Sequence, residues 1–183
     1  FHQNGNIATL HNLRTRTTED LTSELVSYSA NRKISLILPS LYSELEGDAL
    51  PNILTELAKV PYLHRIVIGL DRADEKQYRH ARDFFSVLPQ NHVVIWNESP
   101  RMKAIEARLT TLGLAPSEPG KGKNVWGCIG FLLACADSEV VAIHDCDITT
   151  YDRDMLARLV YPVVNPNFPY QVAKGYYARV GQE

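Results

Sequence analysis

Glu139-Val140-Val141-Ala142-Ile143-His144-Asp145-Cys146-Asp147-Ile148 is the stretch on which the reading of this chain turns. Val140 to Ile143 is apolar and β-branched apart from one alanine, which predicts a strand buried on both faces of a mostly parallel sheet. The strand runs straight into two aspartates separated by one residue. Side chains alternate across a strand, so Asp145 and Asp147 point one way and His144 and Cys146 the other. Adjacent carboxylates repel unless positive charge lies between them. At the carboxyl end of a buried strand, where open α/β sheets take ligands, a divalent cation meets that need. Mg²⁺ or Mn²⁺ held by only one or two carboxylates keeps positions open for water or diphosphate oxygens. The structural alternative is that Asp147 caps a turn while Asp145 pairs with an arginine. The spacing alone leaves both open.

The 183 residues amount to one domain, and a net charge of -2 with 45% hydrophobic residues is ordinary for a globular protein. Near-neutral charge speaks against nucleic acid as partner, because phosphate neutralisation needs a basic face. No apolar run reaches the length of a membrane-spanning helix, so no membrane partner is expected. The start, Phe1-His2-Gln3-Asn4-Gly5, has neither the basic nor the apolar region of a signal peptide and no methionine, so the natural start is expected elsewhere. Cys128, Cys135 and Cys146 fit no disulfide framework and no CxxC pattern, which points to a reducing, cytoplasmic setting. The chain shows no internal repeat.

Outward from the central stretch, strands and helices alternate. Residues 1 to 17 read as a polar arm, and Thr18 opens a helix whose Leu21, Leu25 and Tyr28 share a face. Ile34 to Leu38 is a first buried strand. A helix capped by Asp48 follows, then a second strand over 65–70 and a helix carrying Tyr78, Ala81, Phe84, Phe85 and Leu88. A third strand spans His92 to Trp96, and Ser99-Pro100 is an N-cap followed by proline at the first helical position. Ala115 to Lys123 reads as a mobile loop. Asn124 is expected to cap the next helix, with Val125, Ile129, Leu132, Leu133 and Ala136 as its apolar stripe. A helix from Arg153 to about Val160 and a last strand from Tyr170 to Tyr177 complete the order. Four or more such alternations predict an α/β fold, a parallel sheet with helices on both faces. The boundary falls between an arm and helix at 1–32 and a domain at 33–183.

Strand ends supply the candidate site. Leu41-Tyr42-Ser43-Glu44, Asp71 and the Asp145/Asp147 pair all follow strands whose carboxyl ends converge, so they are expected to line one crevice. An acid at Asp71 could accept a base N–H, while on its own the residue reads first as a turn residue or helix cap. Gly120-Lys121-Gly122-Lys123-Asn124 opens a helix, where free N–H groups and two lysines make an anion site. It is neither a Walker A loop nor a dinucleotide fingerprint. Alternation makes His144 a packed, hydrogen-bonded residue. Cys128 and Cys135 read as small core residues and Trp126 as a packing residue. No nucleophile with a partner base is identified.

These elements in this order resemble a GT-A (Rossmann-like) glycosyltransferase, more narrowly the glucosyl-3-phosphoglycerate synthases and their mannosyl-transferring relatives, over about residues 33 to 180. The matching features are Pro39-Ser40-Leu41-Tyr42-Ser43-Glu44 after the first strand, the acid Asp71, the Gly-Lys-Gly loop and Asp145-Cys146-Asp147. The resemblance implies donor contacts at Pro39, Ser40, Leu41, Glu44, Asp71, Gly120, Lys121 and Asp145. It implies metal ligands at Asp145 and Asp147. Tyr42 stands where the family has asparagine. The implied reaction is metal-dependent, retaining transfer of a hexose from a UDP- or GDP-hexose to a small phosphorylated acceptor such as 3-phosphoglycerate. The family's Gly-Gly-Arg-Val-Thr-like acceptor segment and later metal-binding histidine have no counterpart here, so a donor-binding half without turnover is expected. Two rivals are a sugar nucleotidyltransferase, which would carry its phosphate loop right after the first strand, and a non-catalytic nucleotide-sugar-binding module. Exposed Val172, Tyr176 and Tyr177 on the last strand would favour a homo-oligomer.

Overall fold

The structure, a computed structural model, describes residue 10 and residues 15–116 and 118–175. Ten elements of regular length follow one another: α1 (Thr18–Ser29), β1 (Ile34–Leu41), α2 (Ala49–Leu57), β2 (Leu63–Asp71), α3 (Glu75–Phe85), β3 (His92–Trp96), α4 (Pro100–Thr111), α5 (Lys121–Cys135), β4 (Val140–Ile143) and α6 (Arg153–Val164). A single 3₁₀ turn, Tyr42–Glu46, links β1 to α2. The four strands form one sheet in the order β3-β2-β1-β4. Every pairing is parallel, as the alternation of strand and helix demands.

Two apolar layers hold the sheet. On one face Ile37, Val67 and Ile95 pack against Cys128 and Leu132 of α5. On the other, Leu36, Leu38, Ile66, Ile68 and Leu70 meet Leu21 and Leu25 of α1, Ile53 and Leu57 of α2, Phe85 of α3 and Leu156 and Val160 of α6. Each such side chain contributes about 1.5–3 kcal/mol relative to exposure. Helices therefore cover both faces. Pro39 sits within the central strand without losing a ladder bond. Ile37 turns its carbonyl towards β4, accepting from His144 N–H at 3.1 Å. Pro39 faces the same side two residues later, beyond the last β4 pair.

Several caps match their local signals. Ser99 Oγ accepts from Met102 N–H at 3.2 Å with Pro100 at the first helical position, and Asp74 caps α3 reciprocally with Gln77. Other expectations need correcting. Strand β4 is not buried on both faces: it ends the sheet, and Val141 and Ile143 are 40% and 41% exposed. Helix α5 packs across β1 and β2 and leaves that face of β4 uncovered. The helix itself begins at Lys121, so residues 121–123 are helical and not loop. Asn124 is buried inside it, and the inward stripe is Asn124, Cys128 and Leu132, with Ile129 and Leu133 facing out. The Asp48 side chain makes no cap bond, and α6 runs on through Pro162 to Val164. Tyr170 to Gly175 is not a strand, because no described strand pairs with it. Val172 is 82% exposed, and Tyr176 and Tyr177 lie outside the described residues. Among the described residues no helix is long and apolar enough to cross a membrane.

Candidate functional site

The carboxyl ends of β1, β2 and β3 meet at one edge of the sheet because their registers align. Pro39 lies opposite Gly69 and Leu41 opposite Asp71. Leu70 lies opposite Trp96, so Asn97 is the next partner of Asp71. Alternation sends Pro39, Leu41, Asp71 and Asn97 to the face covered by α5. There they floor a cavity of about 490 Å³, walled by Met102 of α4 and Lys121 of α5. Asn97 Nδ2 donates to Asp71 Oδ1 at 2.7 Å. Burial raises the Asp71 carboxyl above its ordinary range, and this hydrogen bond opposes the rise. Beside it Arg72 adopts φ 56°, a left-handed turn held by Glu98 Oε1, which accepts from Arg72 N–H at 2.8 Å.

The second half of the site follows β4. The chain leaves the sheet after Ile143, yet alternation persists: His144 and Cys146 are buried, Asp145 is half-exposed and Asp147 exposed. His144 Nδ1 is 3.0 Å from the Tyr151 hydroxyl. Burial pushes its imidazole down to about 4, which keeps it neutral. Its role is to anchor the turn that turns the two aspartates outward. Glu44 comes close from the 3₁₀ turn and accepts from Leu41 N–H at 2.9 Å. Burial raises its carboxyl, and the negative charge of Asp147 and Asp145 raises it further. Three carboxyl groups thus share one field. The facing cation is Lys121, ion-paired with Asp145.

Lys121 stands in the first turn of α5, whose N-cap Gly120 has φ 122° and supplies no side-chain cap. The opening N–H groups and the positive end of the helix dipole therefore remain available to an anion. Two outward aspartates at a strand end could hold Mg²⁺ or Mn²⁺ in a site that leaves most positions for water or phosphate oxygens. Among the described residues no group of three or more His, Cys, Asp or Glu forms a closed cage. The residues fit an open site of this kind, with Lys121 the side chain that must share Asp145.

Pro39, Ser40, Leu41, Glu44, Asp71, Gly120 and Lys121 line the one cavity. Asp145 joins them through Lys121, and Asp147 lies within the field that acts on Glu44. Neither aspartate lines the cavity itself. Asn97, Met102 and Trp126 are among the further lining residues that the sequence did not point to. Asn97 is the first polar residue after β3, a signal of the same kind as Asp71. Met102 follows the Ser99 cap. Trp126, expected to be a packing residue, is 43% exposed and lines the cavity. Its helix begins four residues earlier than the sequence suggests, and the face it turns to the sheet is that of Asn124, Cys128 and Leu132.

No family model matches the chain. It is 46% identical over 180 residues to glucosyl-3-phosphoglycerate synthase of Persephonella marina, covering 98% of this chain and 45% of that protein. It is 38% identical over 163 residues to the protein of the same name from Methanococcoides burtonii, covering 88% and 40%. The chain thus spans less than half the length of these curated relatives. Among solved structures, glucosyl-3-phosphoglycerate synthase of Mycobacterium tuberculosis in complex with Mn²⁺, UDP and glucosyl-3-phosphoglycerate matches with a TM-score of 0.51 at 19% identity. That match covers 79% of this chain and 44% of the other. The same enzyme with Mn²⁺, UDP-glucose and phosphoglyceric acid matches equally, at 0.51 and 19%, over 80% and 44%. At that identity the likeness speaks for the fold, which is the GT-A fold of nucleotide-sugar-dependent glycosyltransferases. Over the region that it shares with them, the chain resembles the glucosyl-3-phosphoglycerate synthases.

Proposed function

We propose that this chain is the donor-binding part of a retaining, metal-dependent hexosyltransferase. It would take a hexose from a nucleoside diphosphate sugar for transfer to a small phosphorylated acceptor such as 3-phosphoglycerate. The observation that carries the reading is the placement of Lys121 and the α5 N-terminus between the Asp71 crevice and the Asp145/Asp147 turn. A nucleoside in the crevice would direct its diphosphate towards both.

Each residue then has a task. Asp71 accepts an N–H from the base. Glu44 holds Leu41 N–H and so keeps the Pro39–Leu41 segment against the nucleoside. The ammonium of Lys121 and the free N–H groups at the α5 start neutralise diphosphate oxygens, favouring charge that grows as the leaving group departs. Asp145 and Asp147 would hold Mg²⁺ or Mn²⁺, which would supply further positive charge to the diphosphate. The ligands named for the M. tuberculosis enzyme support the choice of donor, acceptor and metal. Three free cysteines support a cytoplasmic setting.

The test is calorimetry of UDP-glucose and GDP-glucose with and without Mn²⁺, on the wild type and on Asp145→Asn and Asp147→Asn. Wild-type binding should tighten with Mn²⁺, and either variant should lose that gain. Binding that is indifferent to Mn²⁺ in all three proteins rules the assignment out.

A further inference from the structure

The contact between Asp71 and Asn97 does more than hold the crevice floor together. Below it the α5 face of the sheet is apolar, with Val67 and Ile95 against Cys128 and Leu132. One step up, Gly69 lies under Asn124, whose Nδ2 donates to the Gly69 carbonyl at 2.7 Å. Asp71 and Asn97 form the next layer, where the face opens into the cavity. The backbones are fixed as well, since Asn97 N–H donates to the Leu70 carbonyl at 3.1 Å and extends the β2–β3 ladder past the strand. Asn97 spends one Nδ2 hydrogen on Asp71 Oδ1. The other Nδ2 hydrogen remains a donor, and the second carboxylate oxygen of Asp71 remains an acceptor. The crevice floor therefore presents an acceptor and a donor side by side.

We propose that Asp71 and Asn97 together select the nucleobase, accepting bases whose edge carries a ring N–H next to a carbonyl. This rests on the donor-site reading above and names the base class for it. Uracil offers N3–H beside O4, and guanine offers N1–H beside O6. Both match acceptor to donor and donor to acceptor. Cytosine and adenine carry a bare ring nitrogen beside an amine, so a lone pair meets the carboxylate and N–H meets N–H. A site built to hydrogen-bond a given edge rejects the reversed edge strongly, because both of its polar groups are then left unpaired. Asn97 is the specificity-determining partner, since without it Asp71 has two free oxygens and no neighbouring donor.

The experiment compares UDP with CDP and GDP with ADP by calorimetry at pH 8 with Mn²⁺. The proteins are the wild type, Asn97→Leu and Asp71→Asn, each first shown by circular dichroism to unfold at a comparable midpoint. The wild type should prefer UDP to CDP and GDP to ADP, each by about tenfold or more. Asn97→Leu should shrink both ratios by at least about threefold. Asp71→Asn should bring the UDP-to-CDP ratio to near or below one. Its new amide donates to the bare ring nitrogen, while the Asn97 amide turns to accept from the amine. Equal affinities within either wild-type pair overturn the proposal and leave the donor site standing. So does a ratio that either variant leaves unchanged. If none of the four nucleotides binds, the donor-site reading itself falls, and this proposal with it.

Discussion

Asn124 lies directly over Gly69: its amide donates to the glycine carbonyl at 2.7 Å, and a Cβ on Gly69 would stand 1.8 Å from Asn124 Oδ1 and 2.7 Å from Cys128 Sγ. Glycine is thus required by close approach of helix to strand, and a buried asparagine takes the space. Gly69→Ala should destabilise the fold by about 1–3 kcal/mol, the usual range for overpacking. It should also weaken nucleotide binding, because Asn124 shares its helix with Lys121. Urea unfolding with UDP titration checks both, and a midpoint like that of the wild type would show that α5 can lift without penalty.

The pair between Lys121 and Asp145 is about half exposed on both sides. Its own worth to stability is therefore below about 1 kcal/mol. Lys121→Met should leave the unfolding midpoint nearly unchanged and weaken UDP binding by about tenfold, through loss of charge-assisted contacts to the diphosphate. Uridine, which has no phosphate, should bind as before. Mn²⁺ alone, followed by its paramagnetic resonance signal, should bind no more weakly, because Asp145 has lost a competing cation. Equal loss of uridine and UDP affinity would mean that Lys121 supports the crevice and does not contact phosphate.

Glu24 joins α1 to α6 through Arg16 and Tyr161, whose hydroxyl is 2.5 Å from Glu24 Oε2. The Arg16 guanidinium, with the Tyr161 hydroxyl second, lowers the Glu24 carboxyl from its ordinary 4.5 to about 2. Between those values the unfolded chain binds the proton and the folded chain does not, so stability falls as pH drops through that window. Wild type should exceed Glu24→Gln in stability at pH 7, and the gap should narrow from about pH 4.5 downward. Urea midpoints across pH 2.5 to 7 measure it, each pH on that scale being an experimental setting of about half a unit. A gap independent of pH would place the contribution of Glu24 in packing.

Helix α4 has no fully buried residue, although it walls the cavity with Met102 and Leu109. A helix with so little packing opens at low cost. Its amides should exchange faster than those of α5 in the free protein, and slow when UDP and Mn²⁺ bind, while β1 and β2 stay unchanged. Equal protection of α4 in both states would mean that the wall is already in place before the nucleotide arrives.

Much of the fold was legible because its signals are local. Ile34 to Leu38 and the β2 segment are apolar without interruption, as central parallel strands must be. Ser99-Pro100 is a cap whose partner lies three residues away. The outward turn of Asp145 and Asp147 was legible as well, for the alternation that predicts it outlasts the strand. The start of α5 was not. Asn124 in a polar run looks like a cap, and only the carbonyl of Gly69, 55 residues earlier in the chain, makes it a buried side chain.

The sequence by itself determined the order of elements, the parallel sheet, and the polar residues that stand at strand ends. Those properties depend on periodicity and on capping, which act over a few residues. The tertiary structure decided which of those ends face one another. That β4 closes the sheet with one face bare, that Trp126 lines the cavity, that Glu44 shares the field of the two aspartates, and that Asn97 meets Asp71 all follow from strand order and register. Register is set by long-range packing of one layer on another, and no single segment carries that information.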